Sequence, residues 1–279
     1  MIELLEKAKI LSEALPYFKK FNGKNIVIKY GGSAMIDDEM RKNVINDIIL
    51  MKYVGINPIV VHGGGKHVTD MMQRLGKEAK FLKGHRVTDK ETMEITEMVL
   101  AGQINKGIVA LIHTHGARAV GLSGKDGKLI EVIKKQQEDG TDFGFVGEIK
   151  KINPEIITVL ESNGFIPVVS PIGINEKGET FNINADSVAY AIAEEIKAEK
   201  LIFLTDVNGV LKDPEDADSV ISSLDKNDIQ RYSDEGIISG GMLPKLAKAV
   251  QILNKGVDKI HIINGMIPHA MLLEVFTRG

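Results

Sequence analysis

Cysteine is absent from the 279 residues. That removes disulfides, thiolate chemistry and cysteine-ligated metal in one step, and it fits a reducing compartment. The seven histidines show no His-Glu-x-x-His or other tight ligand spacing, so no protein-held metal is expected. No apolar run approaches the roughly 20 residues of a membrane span, and the N-terminus mixes charges with apolar groups, unlike a signal peptide. A cytoplasmic protein without a membrane partner is the expectation. A net charge of -3 leaves no basic surplus for nucleic acid. Gly-x-Gly-x-x-Gly and the Walker pattern Gly-x4-Gly-Lys-Ser/Thr are also missing, which argues against a dinucleotide-type dehydrogenase and a P-loop enzyme. The His62-Gly63-Gly64-Gly65 run resembles an esterase oxyanion loop, but that chemistry needs a Gly-x-Ser-x-Gly elbow. Gly121-Leu122-Ser123-Gly124-Lys125 fails at its last position.

What is present is an ordinary globular composition, 43% hydrophobic and 26% charged, in a chain long enough for one large domain or two lobes sharing a sheet. Ile26, Val27 and Ile28 form a short apolar run that reads as a central strand. It delivers Lys29 to its tip, where Gly31 and Gly32 let the backbone turn with its N–H groups exposed. A lysine there is either a solvated turn residue or part of an anion site, because ligands of open α/β sheets lie beyond the carboxyl ends of the strands. Asp37 or Asp38 can cap a helix carrying Met40, Val44, Ile48 and Met51. Pro58 to Val61 reads as a second strand, running into the glycine run of residues 63–65, with a helix expected from about His67 to Leu75. Strand, glycine run and helix start together aim N–H groups and a helix dipole at an anion.

Further on, Arg86 stands just ahead of a helix that Thr88 or Asp89 can cap, and its planar fork suits a carboxylate. Residues 117–122 and 129–133 read as strands joined by a Gly-Lys-Asp-Gly turn, with 145–149 continuing that antiparallel patch. Asn182, Asn184 and Asp186 alternate with Ile183 and Ala185 where an alanine-rich helix begins; capping by Asn184 or Asp186 explains one of the three polar groups. A strand from Lys200 to Leu204 ends in the polar turn Thr205 to Leu211, which contains Gly209. Gly240 and Gly241 open a helix with Lys245 on its first turns, a third candidate anion site. Residues 257–263 form the last strand, and a short helix follows from about His269 to Phe276. At the other end, Leu4, Ala8, Leu11, Leu15 and Phe18 make one stripe of an amphipathic helix over residues 1–21, which must cover a surface of its own domain or of a neighbouring subunit.

Lys29-Tyr-Gly-Gly32, His62-Gly-Gly-Gly65, Gly84-His-Arg86-Val-Thr-Asp89, Asn182-Ile-Asn-Ala-Asp186, Leu204-Thr-Asp-Val-Asn-Gly209 and Gly240-Gly-Met-Leu-Pro-Lys245 occur in one order over nearly the whole chain. Together they resemble the N-acetyl-L-glutamate kinases of the amino acid kinase family. The resemblance implies an α/β/α sandwich with a central, mainly parallel sheet, divided into an N-terminal helix (1–21), an amino-acid-substrate and dimerisation lobe (22–180) and a nucleotide lobe (181–279). It implies ATP-dependent phosphorylation of the side-chain carboxylate of N-acetyl-L-glutamate in arginine biosynthesis. The chemistry agrees: a carboxylate with a free pKa near ~4.3 is already ionised, so positioning and charge stabilisation must supply the catalysis.

By similarity, Lys29 and Lys245 approach the phosphoryl group from two sides with Asp186 holding both, and Gly31, Gly32 and Gly64 frame its oxygens. Arg86, Asn182 and Asn184 serve the amino-acid substrate, with Gly65 close by. Thr205, Asp206, Gly209 and Leu211 frame the nucleotide, and Mg2+ rides on the ATP phosphates and waters. The N-terminal helix resembles that of arginine-inhibited members, in which such helices interlace dimers into a hexamer. Tyr17, His269 and Glu274 are then candidate effector residues. The alternatives are a kinase acting on carrier-linked aminoadipate or glutamate and a catalytically silent sensor.

Overall fold

The computed structural model describes residues 2–136, 139–213, 216, 219–221, 224, 226–235 and 242–277. Helix α1 (Ile2–Phe21) leads into strand β1 (Asn25–Tyr30), a 3-10 turn at Ser33–Met35 and helix α2 (Asp38–Tyr53). Next come β2 (Asn57–His62), α3 (Gly65–Arg74) and a small hairpin, β3 (Phe81–Leu82) with β4 (His85–Arg86). One continuous rod follows, made of α4 (Lys90–Glu97), a π-helical stretch (Met98–Ile104) and α5 (Asn105–Thr114). Strands β5 (Ala119–Leu122), β6 (Ile130–Lys134) and β7 (Gly147–Ile152), helix α6 (Glu155–Ser162), and strands β8 (Ile166–Val169), β9 (Ile172–Ile174) and β10 (Thr180–Asn182) lead to α7 (Ala185–Glu195). The chain then forms β11 (Lys200–Thr205), α8 (Lys226–Asp234), α9 (Met242–Leu253), β12 (Lys259–Asn264) and α10 (Ala270–Phe276).

Six strands form the central sheet in the order β12-β11-β1-β2-β8-β5, and every neighbouring pair is parallel. Both faces are covered, so its inner strands carry short continuous apolar runs, Ile26–Ile28 in β1, Pro58–Val61 in β2 and Leu201–Leu204 in β11. Ile26, Ile28, Val60, Ile202 and Leu204 face a layer containing α2, the long rod and α10. Val27, Ile59, Val61, Leu201 and Phe203 face α7, α9 and a second sheet. This is the expected α/β/α sandwich. The second sheet has four strands in the order β10-β9-β6-β7.

The caps left open by the sequence are Asp37, Asp89 and Asn184, whose side chains accept the Met40, Thr92 and Ser187 N–H groups at 2.8, 2.7 and 3.1 Å; each such cap is worth about 1 kcal/mol. The expected hairpin between residues 117–122 and 129–133 does not form. β5 is an edge of the parallel sheet, paired with β8, while β6 crosses to the small sheet and pairs with β7. The redirection happens at Gly124, whose N–H donates to Ile172 O at 2.7 Å and where a Cβ would lie 2.3 Å from that oxygen. Asp126 then accepts from both the N–H and the hydroxyl of Ser123 at 2.7 and 2.9 Å, winding the chain into a short 3-10 turn.

The rod Lys90–Thr114 is long and apolar enough, by length and composition, to cross a membrane. Here Met93, Ile95, Val99, Leu100, Ile108 and Ile112 are buried in the core, which makes it a core helix of this fold. α1 divides in two at Pro16. Beyond it, Tyr17 and Phe21 pack on the core and Phe18 meets Phe276 of α10 edge-to-face at 5.1 Å. Before it, Leu5, Ile10, Leu11 and Leu15 are exposed, so among the described side chains of the predicted stripe it is the C-terminal end that docks on its own domain.

Candidate active site

Parallel pairing sets the tips of β1, β2 and β11 side by side. Tyr30 stands opposite His62 and Lys29 opposite Phe203, so the two glycine loops and the Thr205-Asp206 turn emerge together at the carboxyl edge of the sheet. The Gly63 N–H donates to Tyr30 O at 2.8 Å, tying one loop to the other. Lys29 lies 3.1 Å from Asp186 on the first turn of α7. Its ammonium folds over Gly31, where a Cβ would sit 2.7 Å from Nζ. Asp206 is drawn into the first glycine loop: its Oδ1 accepts the Ser33 N–H at 2.6 Å. Gly32, at φ +71°, leaves the carboxylate room that a Cβ, 2.5 Å from Oδ1, would take away.

The second loop is backed by the π-helical stretch. Gly64 adopts φ +151°, and a Cβ there would lie 2.3 Å from Ile104 Cδ1 and 2.7 Å from Leu100 Cδ2. Gly65 opens α3, two residues earlier than the sequence pattern suggests, so the first-turn N–H groups of the helix belong to the glycine run. Arg86 is buried. Its Nη2 donates to Gly65 O at 2.8 Å and to Thr69 Oγ1 at 2.9 Å, and Phe81 of the hairpin stacks on its guanidinium at 4.7 Å. Burial pushes its pKa down from the usual arginine value.

The other candidate residues are held by the local backbone. The Asn182 N–H donates to Phe145 O at 2.9 Å. Thr205 Oγ1 donates to Val207 O at 3.1 Å, Gly209 turns at φ +124° and Leu211 bridges Val220. Lys245 stands in the first turn of α9, but its side chain and the Gly240-Gly241 pair lie outside the described residues. Tyr17, His269 and Glu274 sit elsewhere, around α1 and α10. His269 Nδ1 is 2.6 Å from Asp47 Oδ1, and burial pushes the Asp47 carboxyl up to about 6. Glu274 pairs with His261 at 2.8 Å and with Lys200 at 3.5 Å. Sequence reasoning missed Ser33 and Thr69 at the site and Asp47 beside His269; of these only Asp47 carried a signal, as an acid within the buried apolar face of α2.

The family model described as "Amino acid kinase family" matches residues 24–264. The chain belongs to the amino acid kinase family. Within that family, it is 54% identical to an acetylglutamate kinase of Heliobacterium modesticaldum, with 99% of this chain and 97% of that protein covered. It is 56% identical to an acetylglutamate kinase of Desulforamulus reducens, covering 99% and 96%. Among solved structures, the N-acetylglutamate synthase from Neisseria gonorrhoeae in complex with coenzyme A and N-acetyl-glutamate superimposes with a TM-score of 0.85 at 24% identity. That match covers 98% of this chain and 61% of the synthase and shows a shared fold. In this amino acid kinase, the glycine loops and the Lys29–Asp186 pair therefore occupy the strand-tip edge of the family's sheet.

Proposed function

We propose that this chain transfers the γ-phosphoryl group of ATP to the side-chain carboxylate of N-acetyl-L-glutamate, a step of arginine biosynthesis in the cytoplasm. The observation that carries this reading is the Lys29–Asp186 pair at 3.1 Å beside two adjoining glycine loops, in a chain 54–56% identical over its length to proteins named acetylglutamate kinase. The acceptor oxygen attacks the γ-phosphorus, the bond to the β,γ-bridging oxygen breaks, and ADP leaves with that electron pair. No proton has to be removed, because the acceptor is already a carboxylate. The cost is repulsion between anions, and the chain meets it with fixed positive charge and oriented N–H groups.

In this reading, Lys29 and Lys245 flank the phosphoryl group with Asp186 between them, and Gly31, Gly32 and Gly64 present N–H groups to its oxygens. Arg86, Asn182, Asn184 and Gly65 hold the amino-acid substrate. Thr205, Asp206, Gly209 and Leu211 line the nucleotide, which rests on the 181–279 lobe while 22–180 takes the acetylated amino acid. Asp206 serves by locking the Gly32–Ser33 turn. Magnesium enters with ATP, bound by its phosphates and waters; among the described residues no group of three His, Cys, Asp or Glu side chains is set for a metal ion. The exposed apolar half of α1 supports assembly of dimers into a hexamer. The α1–α10 region supports arginine feedback, with Tyr17, His269 and Glu274 at the effector site.

The test is coupled ADP release with ATP, magnesium and N-acetylglutamate beside free glutamate and aspartate, with and without arginine. Turnover with the acetylated substrate alone is expected. Failure with all three redirects the assignment to a carrier-linked acidic substrate. Turnover insensitive to arginine retains the kinase and removes the effector site.

A further inference from the structure

His62 and Asn105 form a buried polar pair directly behind the second glycine loop, and none of the roles given above uses them. Both side chains are fully buried. Asn105 stands where the π-helical stretch passes into α5, and its Nδ2 is 2.9 Å from Val168 O and 3.4 Å from Leu122 O at the tips of β8 and β5. Carbonyl oxygens only accept, so they settle which end of the amide faces them. The same Nδ2 lies 3.2 Å from His62 Nε2, which is thereby the acceptor. The remaining imidazole nitrogen, Nδ1, then carries the proton, and it lies 2.8 Å from Gly63 O. Burial pushes the His62 pKa down to about 4, so the ring stays neutral with one N–H to give.

That N–H holds one end of a single planar unit. In a trans peptide the C=O and the following N–H point in opposite directions, and the structure contains no cis peptide among its described residues. Fixing the Gly63 carbonyl toward His62 therefore aims the Gly64 N–H the other way, out of the core. Gly64 at φ +151° can rotate freely only because it has no side chain, so its peptide needs an external restraint to keep one orientation. Asn105 is costly to keep, because its Oδ1 is buried without a hydrogen-bond partner and loses its hydration for nothing in return. Its amide is accommodated only because residue 121 is glycine, where a Cβ would lie 1.8 Å from that oxygen. This explains Gly121, which belongs to no catalytic motif.

We infer that His62 and Asn105 are positioning residues for phosphoryl transfer: Asn105 selects the imidazole tautomer, and His62 locks the Gly63–Gly64 peptide so that the Gly64 N–H meets the oxygen on which charge builds up in transit. The inference rests on the kinase reading above. Asparagine can place its amide N–H where His62 has Nδ1, whereas glutamine reaches the Nε2 position. His62→Asn thus keeps the donor to Gly63 and His62→Gln discards it. Steady-state kinetics with ATP and N-acetylglutamate should give His62→Asn a kcat within about fivefold of wild type. His62→Gln and Asn105→Ala should lose about 30- to 100-fold in kcat, in line with a misplaced oxyanion donor, with KM for N-acetylglutamate changed less than threefold. The double variant His62→Gln/Asn105→Ala should be no worse than the poorer single one.

Equal losses in His62→Asn and His62→Gln, or losses seen in KM alone, would overturn the strut. A wild type inactive on N-acetylglutamate would instead overturn the functional reading. Nitrogen-15 spectra of histidine-labelled wild-type enzyme decide the tautomer even if a variant fails to fold. A neutral ring protonated at Nδ1 down to pH 5 is expected, and a proton on Nε2 refutes the inference.

Discussion

Replacing Glu161 by glutamine should make the protein more stable above pH 7 and leave it unchanged in acid. Glu161 sits on the last turn of α6, half-buried, with Oε1 shut off from water and lacking any hydrogen-bond partner. Burial pushes its carboxyl up from 4.5 to about 7, against the opposing pull of the Lys52 ammonium. Between those values, the unfolded chain has released a proton that the folded one still holds. Folding stability from this group is therefore fully present below pH 4.5 and is lost as pH rises through 7. A displacement of about 2.5 in pH corresponds to about 3.4 kcal/mol at most. Residual contact of the side chain with solvent and the partial compensation by Lys52 bring a realistic figure to about 1–2 kcal/mol. Glutamine keeps the shape and never ionises. Urea unfolding of wild type and Glu161→Gln at pH 4 and pH 8.5 checks this, with coinciding midpoints at pH 4 and a gain of about 1–2 kcal/mol at pH 8.5, or roughly 2–8 °C in Tm. A variant equally shifted at both pH values, or less stable at pH 8.5, would show that the carboxylate is not the strained group.

Lys29→Ala should lower kcat about 100- to 1000-fold with the fold intact, read from turnover and the circular dichroism melt, since it removes the charge paired with Asp186. Gly64→Ala should cost both stability and turnover, because the added Cβ meets Ile104 and Leu100 at a φ that side chains avoid; a fully active, unshifted variant would contradict the described backing of the loop. Arg86→Lys should raise KM for the amino-acid substrate about tenfold with a smaller change in kcat, as a point charge replaces a stacked planar fork. Phe18→Ala should loosen α1, seen as faster limited proteolysis near Pro16 and a loss of about 1 kcal/mol from the aromatic pair with Phe276, while single-protomer chemistry is retained.

The motifs whose meaning is local were readable in the sequence. A strand running into Lys29 and two glycines, or a glycine run opening a helix, states its chemistry within ten residues. Contacts formed by distant segments were not. Asp206 reads as part of a polar turn, and only the β1–β11 pairing brings its carboxylate to the Ser33 N–H. His62 reads as the first letter of a glycine motif, and its role depends on Asn105 and on the carbonyls of Leu122 and Val168, contributed by three other elements. The misread hairpin has the same origin. Residues 117–122 and 129–133 carry the β signal correctly, but the pairing partner of each strand lies farther along the chain, and the glycine at 124 turns the backbone away from a simple reversal. Strands β9 and β10, three residues each, are too short to show a period.

The position of β1 at the centre of the sheet also bears on how the enzyme comes into being. Its ladder with β2 closes over the α2 crossover, but its other edge waits for β11, with Ile26 opposite Lys200. Contacts of such sequence separation form late and slow folding. During synthesis, the emerging chain can fold its first glycine loops long before Asp186 and Asp206 exist to hold them. Lys29 then stands at an open sheet edge without its carboxylate, and that edge is a template for wrong pairing until β11 arrives. Acquisition of kinase activity during refolding should therefore coincide with the slowest structural phase, because the β1–β11 ladder, the most distant in sequence within the central sheet, is the one that brings Asp206 to the Ser33 N–H.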